Sequence, residues 1–208
     1  MNLDELTKIA EASYAADKNR EKQDSDLQLF KGHIVALKNL ERTGRIHNPN
    51  SDLTESELLS IVILEGFGSS RLIQSAAYTP STSNPFKQAL IDSLDSALRK
   101  IPKCTHRTLY ANNGYEKFKN HVGENFTVAG FLTTSKDDFC NARRIKWIIT
   151  PLPPHQTRAH EIYHIYNHGD DCDNAEWQVE FERNTSFKVT RIVKGKSFDT
   201  VYIEELPG

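Results

Sequence analysis

The chain has few cysteines and no excess of charge of either sign. Its 208 residues include three cysteines and carry a formal net charge of −2. An odd number of widely spaced cysteines argues against a disulfide framework and fits a reducing compartment. Nearly balanced charge gives no support for electrostatic attraction to nucleic acid or to an anionic membrane. We therefore expect neither of these as a partner.

Long apolar runs are also lacking. No stretch approaches the ~18 apolar residues of a membrane-spanning helix. The first six residues, MNLDEL, have neither the basic start nor the apolar segment of a secretory signal. If the protein is exported, we expect a route that needs no signal peptide.

Two kinds of periodicity divide the chain. Residues 1–50 place apolar side chains at helical spacing, and Thr54 with Glu57 forms a capping box that starts a further helix. From about residue 107, short β-like runs replace the helices. These runs are 107–111, 125–132, 145–150, 177–181, 187–193 and 200–204. Helices followed by strands predict an α+β fold, with a helical extension over 1–50 and a main domain over 51–208.

Two segments of the strand region carry a resemblance. One is the hexapeptide 130–135, GFLTTS, and the other is 176–189, EWQVEFERNTSFKV. Together they resemble the ADP-ribosyltransferase exoenzyme family of the Arg–Ser–Glu class, in which a Gly-Phe-Leu-Ser-Thr-Ser strand precedes a Glu-x-Glu strand. The resemblance implies two packed, mainly antiparallel sheets behind a helical N-terminal lobe. It also implies transfer of ADP-ribose from NAD to a side chain of a target protein, arginine being favoured.

Three chemical tasks follow from this resemblance. A cation holds the pyrophosphate of NAD, a hydroxyl-bearing strand orients a carboxylate, and that carboxylate stabilises the positive charge that develops on the ribose. The hydroxyl strand is well matched, because Thr133 keeps a hydroxyl in the first position. Thr134 and Ser135 follow it and are expected to contact the dinucleotide.

The catalytic carboxylate has two possible registers. Counting back nine residues from Phe187 places Gln178 in the catalytic position and Glu176 in the first acidic one. The second register reads Gln178-Val-Glu180 as Gln-x-Glu, the form used by family members that modify side chains other than arginine. It needs a hairpin two residues shorter. The alternation over 176–182 also fits an ordinary half-buried strand with one wet face.

The cation position is altered as well. The family places Arg-Gly after an aromatic residue, whereas here Ala111 follows Tyr110, and Gly114 comes three residues later. Arg107 precedes Ala111 by four residues, ~13 Å at strand rise, and could substitute only in a shifted register. With Gln178 as the catalytic residue, the chain is expected to be weak or inactive. It is then a non-catalytic binding module on the same fold, or an enzyme silenced by substitution.

A competing motif lies at His160–His164, HEIYH, which matches the His-Glu-x-x-His helix of zinc proteases with Glu161 as general base. Asp170 falls where some of these enzymes place a third ligand. Against this, Asn167 stands where the turn glycine belongs, and the single methionine is Met1. The zinc protease is therefore a distant alternative, and no metal site is expected.

The target protein and the place of action are less constrained. The acidic segment 167–175, with Asp170, Asp171 and Asp173, is expected at the rim of the site, where it would suit a cationic side chain such as arginine. Unpaired cysteines predict action in a reducing cytosol. We expect a bacterial toxin or effector delivered into another cell, or an intracellular enzyme.

Overall fold

The computed structural model describes residues 1–15, 20–66, 69–113, 121–138, 145–167 and 177–208. It divides into two compact units. One comprises Met1–Ile101 with His164–His168, and the other comprises Pro102–Tyr163 with Gly169–Gly208. The domain boundary expected near residue 50 lies inside the first unit.

The first unit is helical. Its helices are α1 (Leu3–Ala15), α2 (Arg20–Arg42), α3 (Glu55–Glu65), α4 (Arg71–Tyr78) and α5 (Pro85–Leu98). The predicted capping box is present, since the Thr54 side chain accepts from the Glu57 amide and the Glu57 carboxylate accepts from the Thr54 amide at 2.7 Å. No helix within the described residues is long and apolar enough to cross a membrane.

Aromatic and aliphatic side chains fill the core of the helical unit. Helix α3 is buried on every side from Ser56 to Glu65. The apolar stripe of α2 packs inward through Phe30, whose ring meets that of Phe86 edge-on at 4.7 Å between centroids. The N-terminal helices therefore belong to a packed core, where burial of their apolar faces stabilises them.

The second unit contains the strands. They are β1 (Leu109–Asn113), β2 (Asn125–Val128), β3 (Leu132–Ser135), β4 (Ile145–Thr150), β5 (Ala159–His160), β6 (Gln178–Phe181), β7 (Thr185–Val193) and β8 (Asp199–Glu205). The predicted run 125–132 divides into β2 and the start of β3, with a bend at Ala129–Gly130 between them. Strand β5 has only two residues, too few to give a periodicity signal.

The strands hydrogen-bond in the order β2-β7-β8-β4-β1-β3-β6-β5, and every pair is antiparallel except β4 with β8. Phe181 of β6 nevertheless meets Phe187 of β7 edge-on at 5.2 Å. Four strands separate these two in the sheet, so the sheet folds over its own core. A long layer, β2-β7-β8-β4-β1, thus faces a short layer, β3-β6-β5. This confirms the two packed, mainly antiparallel sheets expected above.

Candidate active site

A polar face lies on the short layer, where β3 and β6 pair. Thr133 is opposite Glu180, and Ser135 is opposite Gln178. Because alternate residues of a strand point to opposite faces of a sheet, these four side chains share one face. The residues between them point into the hydrophobic core, which includes Val179. The ladder therefore gathers two hydroxyls, an amide and a carboxyl on one surface.

The adjacent threonines of β3 have different surroundings. The buried hydroxyl of Thr134 donates to the carbonyl of Val179 at 2.6 Å, so it fastens β3 to β6. Thr134 thus lies on the core side, away from the polar face that the resemblance assigned to the dinucleotide. Thr133 is exposed, although the residues on either side of it are buried.

The exposure of Thr133 follows from how the two layers join. Strands β1 and β3 are linked by a single pair, Tyr110 with Ser135, whereas β1 and β4 are paired over five residues. A ladder of one pair indicates that β1 and β3 separate beside it. Thr133 is therefore left facing solvent where β1 and β3 separate, a place that we call the crevice.

Glu180 is the most unusual side chain of this face. Its residue is 0% exposed, and neither carboxyl oxygen meets a donor in hydrogen-bonding geometry among the described residues. Burial raises the pKa of the Glu180 carboxyl to about 8, and the neighbouring Thr133 hydroxyl moderates the shift. A buried carboxyl without a counter-charge is costly to ionise, which is typical of a chemically active group.

The pairing of β3 with β6 distinguishes the two registers of the catalytic strand. The first register needs Gln178 beside Thr133, but the ladder places Gln178 beside Ser135, and Glu180 beside Thr133. The ladder thus brings Glu180, the acid of the Gln-x-Glu pattern, beside Thr133. The alternative of an ordinary strand with one solvent-exposed face is wrong, because all four residues of β6 are buried and Gln178 is only 6% exposed. Glu176 lies outside the described residues.

The expected cation position holds no cation. Ala111 points into the core, opposite Trp147 of β4, because odd-numbered residues of β1 face inward. It does not line the polar face, contrary to its predicted place in the wall of the site. Arg107 is exposed on the segment before β1. Gly114 and the acidic residues of segment 167–175 lie outside the described residues.

A charged cluster occupies the outer end of β6. Glu182 accepts a hydrogen bond from the Lys103 ammonium at 2.9 Å and lies 2.8 Å from Nε2 of His160. The guanidinium of Arg158 is 3.4 Å away. The hydrogen bond with His160, together with Lys103, lowers the pKa of Glu182 to about 2. No sequence pattern indicates this cluster, because its members are brought together only by the pairing of β5 with β6 and by the bridge between Lys103 and His160.

The zinc-protease motif does not form its helix. His160 belongs to strand β5, opposite Glu180, and Ile162–His164 is a single 3₁₀ turn. Glu161 accepts from the amide and hydroxyl of Thr105, at 2.7 and 2.9 Å. The motif brings its two histidines to one zinc ion from successive turns of an α-helix, and this segment forms a strand and a 3₁₀ turn instead. The zinc-protease interpretation is therefore wrong.

Trp177, immediately before β6, adopts a left-handed conformation with φ of 43°. Its ring meets that of Tyr163 edge-on at 5.6 Å, and the Lys136 ammonium lies 4.0 Å from the Trp177 ring centroid. The amide of Lys136 also donates to the Trp177 carbonyl at 3.3 Å. These contacts stabilise the unusual backbone at the point where the chain enters the site.

No protein-family model and no characterised protein matches this sequence. Solved structures do match its fold. The type III effector XopAI from Xanthomonas axonopodis pv. citri superposes with a TM-score of 0.65 and 14% identity, over 99% of this chain and 84% of that one. The Vis toxin, an ADP-ribosyltransferase from Vibrio splendidus, gives a TM-score of 0.57 and 16% identity over 95% and 91%.

Exoenzyme S from Pseudomonas aeruginosa, solved with human 14-3-3 protein beta and carba-NAD, gives a TM-score of 0.60 and 11% identity, over 97% of this chain and 88% of that one. This likeness extends over nearly the whole of each chain. The protein therefore has the ADP-ribosyltransferase fold, as the two sequence segments predicted.

Proposed function

We propose that this protein transfers ADP-ribose from NAD to a side chain of another protein, with Glu180 as the catalytic carboxylate. The observation that carries the proposal is the buried Glu180 opposite the exposed Thr133 in the β3–β6 ladder. It occurs on a fold that includes an NAD-dependent toxin class, one member of which has been solved with carba-NAD. A buried carboxylate beside a solvent-facing hydroxyl suits a reaction that develops positive charge on a ribose.

The chemistry requires Glu180 to be ionised at the moment of transfer. Burial disfavours the charged form in the free protein, and a cationic nicotinamide ribose in the crevice would favour it. Thr133, on the neighbouring strand, is placed to hold the carboxylate or a ribose hydroxyl in position. This arrangement gives the largest stabilisation when the positive charge on the ribose is greatest, that is, in the transition state.

The acceptor is proposed to be a side chain other than arginine. Gln178 precedes Glu180 by two residues, which gives the Gln-x-Glu pattern, and the resemblance associates that pattern with acceptors other than arginine. This revises the expectation of an arginine acceptor. It also revises the expected loss of activity, since the carboxylate is present and only the cation at Ala111 is absent.

The target protein is proposed to lie in the cytosol of a cell into which this protein is delivered. The proposal is supported by the fold's occurrence in a type III effector and in toxins, and by cysteine usage that fits a reducing compartment. Expression inside a eukaryotic cell should then modify a host protein when Glu180 is intact and fail to do so in E180Q.

Labelled NAD incubated with a cell lysate tests the activity. We expect transfer by the unaltered chain, loss of transfer in E180Q, and retention in E182Q, a matched change just after β6 at a carboxylate already engaged by Lys103 and His160. Mapping the modified residues by mass spectrometry identifies the acceptor type. Q178E, which creates Glu-x-Glu, should increase labelling of agmatine, which carries the guanidinium group of arginine.

Absence of transfer by the unaltered chain together with absence of NAD binding would favour a non-catalytic module on this fold. Equal transfer by E180Q and the unaltered chain would remove Glu180 from the mechanism. Modification exclusively at arginine by the unaltered chain would contradict the proposed role of Gln178.

A further inference from the structure

The site contains a catalytic carboxylate but lacks the cation that the family resemblance places at Ala111. A dinucleotide carries two negative charges on its pyrophosphate, and a site that binds it needs a positive group near them. Such a group need not lie on β1. It must only be on the same face as Thr133 and Glu180 and within reach of the crevice.

Lys146 of β4 meets the first condition. It pairs with Asn112 of β1, so the two side chains share a face of the long layer with Tyr110. Tyr110 in turn pairs with Ser135 across the joint between layers. The face that bears Lys146 is therefore continuous, through the Tyr110–Ser135 pair, with the polar face of the short layer.

The register of the strands places Lys146 level with the catalytic pair. Continuing the Tyr110–Ser135 register by two residues brings Asn112 level with Thr133, although the strands have separated there. Lys146, Asn112, Thr133 and Glu180 then form one row across β4, β1, β3 and β6. The β4–β1 and β3–β6 intervals are ~4.8 Å each, and the β1–β3 interval is wider because these strands have separated. A dinucleotide lying in the crevice can span this row.

The surroundings of Lys146 hold its ammonium in place. The Nζ atom lies 5.4 Å from the centroid of the Tyr110 ring and forms an ion pair with Asp138. The Lys146 side chain is 12% exposed, whereas that of Asp138 is 44% exposed. The ammonium is thus largely enclosed, and its partner is a surface carboxylate that a bound phosphate can replace.

Three of the other described cations in the strand unit are the lysines and arginine nearest to Ala111 in the sequence, and each is engaged or placed elsewhere. Lys103 bonds to Glu182 and His160 beyond the far side of Glu180. Lys136 lies over Trp177 on the aromatic cluster, and Arg107 precedes β1 on an exposed segment. Compared with these three, Lys146 combines the correct face, the correct row and partial burial.

We propose that Lys146 binds the pyrophosphate of the dinucleotide, taking from β4 the role that the family resemblance assigns to an arginine on β1. This inference rests on the proposed function. Asp138 acts as the counter-ion of Lys146 in the free protein and gives way to the phosphate when the dinucleotide binds.

Isothermal titration of NAD and of ADP-ribose into the full chain and its variants tests the proposal. K146M should weaken both ligands by about 10- to 100-fold, since both contain the pyrophosphate and a charged hydrogen bond is lost. K146R should retain most of the affinity. D138N should tighten binding of both ligands, because a competing anion has been removed. K188M is the matched control, on the same face of the long layer opposite Glu204, and should leave both affinities unchanged.

The two proposals fail in different ways. If the unaltered chain binds neither ligand, the proposed function itself is overturned. If it binds NAD and K146M binds equally well, only the role of Lys146 is overturned. If K146M does not fold, the affinity of D138N for NAD and ADP-ribose tests the proposal instead, because this variant keeps Lys146. An unchanged or weaker affinity in D138N would contradict the proposal.

Discussion

Two glutamates near the outer end of β6 are in opposite states: Glu180 lies within the strand, and Glu182 follows immediately after it. Glu180 is 0% exposed, meets no donor in good geometry among the described residues, and has its pKa raised by burial to about 8. Glu182, two residues later, has a side chain that is 26% exposed, and the hydrogen bond with His160 together with Lys103 lowers its pKa to about 2. The two carboxyl groups are close in sequence, and what separates them is whether they have hydrogen-bonding partners.

This difference separates a chemical role from a structural one. A carboxylate with partners contributes stability when it is ionised, whereas a buried carboxylate without them costs stability when it is ionised. Only the second keeps its oxygens available for a ligand, and a cationic ligand then favours its ionised form. Glu180 therefore suits catalysis, and Glu182 suits fastening β5 to the end of β6.

The largest expected effect is that of E180Q on activity. Loss of the buried carboxylate should lower transfer by about 10²–10³-fold, measured with labelled NAD. Stability should change in the opposite sense. Because the folded pKa of Glu180 exceeds the unfolded value of 4.5, the unaltered protein loses stability as pH rises from 4.5 through about 8. E180Q should therefore melt higher than the unaltered protein at pH 9, and this gap should close towards pH 4.5. Identical pH dependence of melting in both would contradict the assignment.

The second prediction concerns the pH dependence of transfer. If ionised Glu180 is required, kcat/KM should rise about tenfold per pH unit below pH 8 and level off above it. The kcat profile should level off at lower pH, since the cationic nicotinamide of bound NAD favours the carboxylate. Steady-state kinetics from pH 6 to 9 would show this. A flat kcat/KM across that range is incompatible with Glu180 titrating in the free enzyme.

At the outer end, E182Q should lower stability and leave catalysis nearly intact. Losing charge-assisted hydrogen bonds with His160 and Lys103 should cost about 1–3 kcal/mol at pH 7, measured by urea unfolding. The folded pKa of Glu182 lies below the unfolded value, so its contribution is present above pH 4.5 and is lost as pH falls towards 2. The difference between E182Q and the unaltered protein should therefore vanish near pH 2. A persistent difference there would point to lost packing instead of lost charge.

The smallest effects come from the neighbouring threonines, which repeat the contrast on β3. T134V removes the buried hydrogen bond to the Val179 carbonyl and should cost about 1 kcal/mol of stability, with little change in kcat. T133V should leave stability nearly unchanged but reduce transfer. It should also move the pH profile upward, because Thr133 lowers the pKa of Glu180. Equal behaviour of the two variants in both assays would show that the two faces of β3 are not distinct.

Much of the scaffold was predictable from local patterns. The capping box at Thr54 was visible because it needs only residues three apart. Strands such as β4, at 145–150, were visible because alternation and turn residues are local as well. The short strand β5 was not visible as a run, because two residues cannot display a period. The His160–His164 motif was misleading for a related reason: its spacing has meaning only on a helix, and the chain forms a strand there.

The sequence by itself determined the order of helices and strands, the hydroxyl strand at Thr133, and the short list of acidic candidates on β6. Those features depend on residue type and on spacing along the chain. Only the tertiary structure placed Glu180, and not Gln178, beside Thr133, turned Ala111 into the core, and put Lys146 on the same face as Tyr110. Strand register explains why these features could not be predicted from the sequence. A shift of two residues keeps every side chain on the same face of the sheet and leaves the hydrophobic pattern unchanged. Pairing between distant segments, which no local pattern records, selects among such registers.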